Sequence, residues 1–204
     1  MNNNDILRRL RYTFDFNDAK MVTICALAEL SVTKEQVHGW LKKDDDNEFL
    51  ACSDSELAGF LNGLIIEKRG KKEGALPEAE TYLNNNMIFR KLKIAMNLQA
   101  EDVLAVMQLA DLRMSKHELS AFFRKPGHKH YRKCQDQIMR NFLKGLQLKY
   151  RDNPPLEQAS ATFKKESAPV NKASAPVKKA STPIKKAGSS VKAKSVWTQQ
   201  KPRS

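Results

Sequence analysis

The chain is written twice over. Shifting the 204-residue sequence by 82 positions lays residues 2–69 on 84–151 without a gap. NNNDILRRLRYTF falls on NNNMIFRKLKIAM, CALAELSVTKEQVHGWLKK on MQLADLRMSKHELSAFFRK, and CSDSELAGFLNGLIIEKR on CQDQIMRNFLKGLQLKYR. Asn2–Asn4 coincide with Asn84–Asn86, Leu10 with Leu92, Cys52 with Cys134, and Gly63 with Gly145. Apolar positions meet apolar ones nearly throughout, so whatever fold one copy adopts the other must adopt as well.

Each copy has the period of helices. In the first, Ile6, Leu7, Leu10 and Phe14 recur at helical spacing behind an Asn/Asp start able to cap a helix. Met21, Ile24, Leu27, Ala28 and Leu30 form a second apolar stripe. Thr33 followed by Gln36 suits a capping box opening a third helix that buries Val37, Trp40 and Leu41. Ser53 or Ser55 starts a fourth, with Leu57, Phe60, Leu61 and Leu64 inward. The second copy repeats this with Ile88, Leu92 and Met96, then Val103, Val106 and Leu109, then Leu119 and Phe122, and finally Met139, Phe142, Leu143 and Leu146. No stretch sustains strand alternation, so the expected fold is all-α. It comprises two tandem, helix-turn-helix-like units over 2–69 and 84–151, joined by a linker, 70–83, with two glycines and a proline.

The NNND start, the LAELSVTKEQVHGWLKK and CSDSELAGFLNGLIIEKRG segments, and KPGHKHYRKC in the second copy resemble the bacterial YehS-like family. The resemblance covers residues 1–151. It implies a duplicated helical architecture and brings no established activity with it.

Residues 152–204 lie outside that resemblance and have a period of their own. SAPVNKA, SAPVKKA and STPIKKA follow one another over 167–187, with GSSVKAK as a degraded fourth. One aliphatic residue in seven makes no coiled-coil seam, and Pro169, Pro176 and Pro183 forbid a continuous helix. So little apolar surface cannot offset ordering entropy, and the segment is expected to be a disordered basic tail resembling those of linker histones. It carries 11 Lys and Arg against 3 Asp and Glu, a net of +8, while the other 151 residues carry +5. Such asymmetry suits a polyanion partner, and also a tail that serves only solubility.

Three groups of residues suit contact with nucleic acid. Arg8, Arg9 and Arg11 on the first helix align with Arg90, Lys91 and Lys93, and two such faces can meet phosphates at two places, although a plain solvated face has the same look. The loop after the third helix diverges sharply, KKDDDNEFLAC against RKPGHKHYRKC. The second version gathers Arg124, Lys125, Lys129, Arg132 and Lys133 around Tyr131, cations with an aromatic among them for phosphate contact and base stacking. The acidic version offers a surface for the basic loop of another copy, hence possible self-association. In the tail, Lys178, Lys179, Lys185 and Lys186 supply phosphate affinity without reading bases. A groove-reading helix-turn-helix would place its turn at Ser31–Val32 and point Lys34, Glu35, Gln36 and His38 outward, with Lys116, His117, Glu118 and Ser120 in the second copy. Glu35 and Glu118 would then face phosphates unfavourably.

The remaining chemistry is thin. His128, His130 and Cys134 follow no zinc spacing, and Cys52 and Cys134 read more simply as small buried residues at a helix start, so no metal is expected. No phosphate loop, nucleophile elbow or HExxH is present, so neither an enzyme, a cofactor nor a small-molecule substrate is expected. Three scattered cysteines do not make a disulfide framework, and with no long apolar run and no secretory-type leader the expectation is a cytoplasmic protein without a membrane partner. The sequence thus points to a nucleic-acid-binding protein, with a protein-interaction adaptor as the alternative.

Overall fold

The computed structural model describes residues 1–71, 74 and 77–152. The tail repeat lies outside the described residues, and with it Lys178, Lys179, Lys185 and Lys186. The described residues build eight α-helices and no strand.

The first copy comprises α1 (Asn3–Phe14), α2 (Asp18–Leu27), α3 (Lys34–Leu41) and α4 (Asp54–Arg69). The second comprises α5 (Asn85–Ala95), α6 (Ala100–Leu109), α7 (Lys116–Phe122) and α8 (Asp136–Gln147), each starting 82 residues after its counterpart. A π-helical turn, Leu148–Asp152, prolongs α8. Helix starts follow the expected caps: Asn2, Thr33, Ser53 and Ser115 each close a capping box. Gly70, at φ 82°, ends α4 where the linker begins.

Other ends use a device the sequence hid. Asp15 and Asn97 (φ 52° each), and Glu29 and Asp111 (φ 59° and 58°), take the left-handed conformation usually given to glycine. The amides of Phe16, Leu98, Leu30 and Leu112, one residue on, reach back to the carbonyls of Arg11, Lys93, Cys25 and Met107 at 3.0–3.1 Å, the long bond of a Schellman motif. The α2–α3 connection therefore turns at Glu29 and runs over residues 28–33. It is longer than the three- or four-residue turn of a helix-turn-helix, and does not pivot at Ser31–Val32.

The triplet of asparagines divides three tasks. Asn2 caps α1 and Asn84 caps α5. Asn3 donates to Cys52 O (3.1 Å) and Asp54 Oδ1 (2.8 Å), and Asn85 donates to Cys134 O and Asp136 Oδ1 at the same distances. Asn4, buried, donates to the carbonyls of Trp40 (2.9 Å) and Leu50 (2.7 Å) and accepts from the Cys52 amide (3.0 Å). Asn86 does the same with Phe122, Arg132 and Cys134. Each long α3–α4 or α7–α8 loop is thus stitched at both ends to the first helix of its copy.

The core joins the copies. Helix α4 packs on α2 of its own copy and on α5 of the other, and α8 reciprocally on α6 and α1. Such exchange is what a two-fold relation between like units produces. Gly63 and Gly145 sit at the α2–α4 and α6–α8 crossings, where a β-carbon would overlap the carbonyl oxygens of Ile24 and Val106. Leu57, Phe60, Leu61 and Leu64 are buried with Met139, Phe142, Leu143 and Leu146 in one continuous cluster. Leu109 departs from the expected stripe: it ends α6 46% exposed, off to the side of the face that Val103, Val106, Met107 and Ala110 bury.

Gly63→Ala and Gly145→Ala should each lower stability by about 2–3 kcal/mol through overpacking against backbone that cannot yield. Asn4→Ala, which strands one buried amide and two carbonyls, should cost at least about 2 kcal/mol. Both are read by chemical denaturation.

Candidate functional site

The paired basic residues of α1 and α5 have different fates. In the first copy every one that faces α3 meets an acid. Arg8 pairs with Asp5 (2.7 Å) and Asp44 (3.4 Å) and donates to the Lys42 carbonyl. Arg11 pairs with Asp18 (3.3 Å), and Lys42 with Asp46 (3.3 Å) and Glu48 (3.0 Å). Arg9 stays exposed. Burial would raise the Asp5 carboxyl, but the Arg8 guanidinium and the Asn2 N–H outweigh it and hold its pKa below the usual value. The Glu48 amide and Lys42 lower Asp46 likewise, while Glu48 and Asp46 raise Lys42.

Shifted by 82, those acids vanish. Asp5 becomes Met87, Asp18 becomes Ala100, Asp44 becomes Pro126, Asp46 becomes His128, and Glu48 becomes His130. The cations remain, as Arg90, Lys93 and Arg124. Among the described residues none of the three makes an ion pair. Arg90 donates to Phe123 O (2.7 Å), Lys93 lies 5.9 Å from the Phe123 ring centroid, and Arg124 approaches His128 Nε2 at 3.4 Å. The Arg124 Nε is shielded from solvent without an acceptor.

These three converge. With Ile94, Lys116 and Phe123 they line an open groove of about 490 Å³ between α5, α6 and α7. Lys116 also meets Glu101 at 2.6 Å on the surface. Spacing along the chain puts Arg90 and Lys93 in one group and Arg124 in another, and gives Phe123 no part in either. The signal was available as the loss of Asp5 and Asp18 between copies, which lies far from the loop whose divergence is obvious.

Other expected site residues are placed apart. Lys91 turns toward the linker, pairing with Glu80 (2.9 Å) and donating to Asn62 Oδ1 (2.5 Å) with its side chain 11% exposed, which removes it from any outer face. Lys125, Lys129, Arg132 and Lys133 are exposed on the α7–α8 loop, and Tyr131 is half-buried. Lys34, Glu35, Gln36 and His38 are exposed on α3, and Lys116, His117, Glu118 and Ser120 on α7.

The loop histidines lie near one another, His128 and His130 with ring centroids 5.6 Å apart and His117 and His130 6.2 Å apart. Among the described residues, however, no three His, Cys, Asp or Glu side chains are arranged to hold a metal. All three cysteines are free and buried. Burial, with Glu56 beside Cys25 and Asp136 beside Cys134, pushes those two thiols up to about 12, and burial raises Cys52 as well, so none is a ready thiolate. No helix among the described residues is long and apolar enough to cross a membrane.

Asp5 has its folded pKa depressed, so its contribution to stability is complete above the unfolded value and disappears as pH falls through the folded one. Asp5→Asn should therefore be less stable than the parent at neutral pH, by under about 1 kcal/mol for so exposed a pair, and the difference should shrink at an acid pH below the usual aspartate range. Urea midpoints at the two pH values measure this.

A family described as "Protein of unknown function (DUF1456)" matches residues 3–70 and again 85–152. The chain is 46% identical over 147 residues to the "Uncharacterized protein YehS" of Escherichia coli (strain K12), a match covering 72% of this chain and 94% of that protein. No solved structure matches.

Proposed function

The chain belongs to the DUF1456 family, whose pattern it carries twice, and from its own geometry we propose that it binds nucleic acid without catalysing a reaction on it. The observation that carries this is the removal of five acids from the second copy while the cations they neutralise in the first are kept. An unpaired cation beside a groove gains most from a phosphate, since nothing in the protein competes for it. The α7–α8 loop adds four exposed cations, Lys125, Lys129, Arg132 and Lys133. The tail, with its net charge of +8, adds affinity that does not depend on sequence.

The adaptor reading, in which acidic and basic loops of two molecules meet, has less behind it. Asp44, Asp46 and Glu48 are already engaged by Arg8 and Lys42 within the chain, so a partner would have to displace those pairs first.

Phosphate binding releases counterions, so affinity falls with salt along a slope set by the contacts made. Replacing Lys178, Lys179, Lys185 and Lys186 by Gln in the full chain should reduce that log–log slope by about 3 units. Arg132→Ala with Lys133→Ala should reduce it by about 1.5 units. Fluorescence anisotropy with a labelled oligonucleotide at several salt concentrations measures both, and absence of salt-dependent binding would sink the proposal.

A further inference from the structure

We propose that the groove between α5, α6 and α7 seats one nucleotide of an unpaired strand. Its phosphate sits among Arg90, Lys93, Lys116 and Arg124, and its base lies on Phe123 and Ile94. This rests on the nucleic-acid reading and narrows it from a polyanion to a single strand.

Size and chemistry agree. A volume of about 490 Å³ falls within the roughly 300–1,000 Å³ of small-ligand clefts. Four of the lining residues are cations and none is acidic. The Arg124 Nε is a donor already removed from water and still without an acceptor, so an anion that reaches it gains a hydrogen bond at no further desolvation cost to the guanidinium. Lys93 has only the Phe123 ring for company, at the outer limit of a cation–π contact. A base entering over Phe123 moves that ammonium from the ring to the phosphate, exchanging one weak contact for two stronger ones.

The apolar part of the lining separates single strand from duplex. Ile94 is 46% exposed and Phe123 is half-buried, an unusual amount of apolar side chain beside four cations. Duplex phosphates need only the charges, because bases in a duplex are stacked out of reach. An unpaired strand uses charge and apolar face together. The first copy carries Leu41 where Phe123 stands and Asp18 where Ala100 stands, so it lacks both the ring and the uncovered charge.

That difference supplies the variants. Ala100→Asp restores the first copy's acid at the opening position of α6, where a carboxylate also favours the helix, and pairs it with Lys93 as Asp18 pairs with Arg11. Phe123→Leu installs the first copy's own residue. Both are made in the full chain with the four tail lysines replaced by Gln, and binding of a short labelled oligothymidine, an abasic strand of equal length and a matched duplex is followed by anisotropy. Ala100→Asp should weaken oligothymidine roughly tenfold. Phe123→Leu should weaken oligothymidine about fivefold and leave the abasic strand unchanged. Ile94→Ser, on the exposed side of α5, should give the same split if Phe123→Leu loosens the aromatic cluster.

Oligothymidine binding insensitive to all three variants, in a chain that still binds nucleic acid, overturns the groove and leaves the function standing. An effect of Ala100→Asp alone overturns the base contact and leaves a phosphate site. A duplex bound as tightly as oligothymidine and equally sensitive overturns the single-strand assignment. No binding of any strand by the parent chain removes the function itself, and the groove with it.

Discussion

Two buried asparagine amides hold this architecture in register. The loops from α3 to α4 and from α7 to α8 lack regular structure, and their carbonyls and amides near the core need partners that no helix supplies. Asn4 and Asn86 each satisfy two such groups and one carbonyl in the last turn of the preceding helix, with both ends of the side chain used. A carboxylate there could not donate, and an apolar residue could do neither. Because the loop is fixed at its base, its outer part is free to change, and that is where the copies differ most.

The divergence is a matter of charge rather than shape. The helices keep their starts and Gly63 and Gly145 keep their places at the helix crossings, while Asp5, Asp18, Asp44, Asp46 and Glu48 give way to Met87, Ala100, Pro126, His128 and His130, none of which brings a negative charge. In the first copy, ion pairing has turned a basic helix face into part of a neutral clasp. In the second, the same face is left with its field intact over an apolar lining.

Much of the fold was legible because duplication allows each inference to be made twice. Helix positions, the caps at Thr33 and Ser53, and the inward faces of α4 and α8 follow from periodicity. The closures at Asp15, Glu29, Asn97 and Asp111 did not, since a left-handed residue other than glycine carries little sequence signal and its reward is a backbone bond. Leu109 misled because it follows Val106 at a spacing of three, whereas the face α6 buries runs through Val103, Val106, Met107 and Ala110 and leaves Leu109 to one side. The groove was half legible: its cations were named, but their convergence depends on how α5 meets α7, which no spacing along the chain encodes. Lys91 shows the converse, a cation in a basic cluster that the fold turns inward against Glu80.

The reciprocal packing of α4 on α5 and of α8 on α1 has a consequence for the history such a chain can have. In a solenoid each added repeat exposes a fresh face for the next, so arrays lengthen readily. Here the last helix returns to cover the first, and the face that would receive a third copy is already occupied. A closed pair of this kind acquires new surface only by letting one member drift while the other keeps the shared core in place.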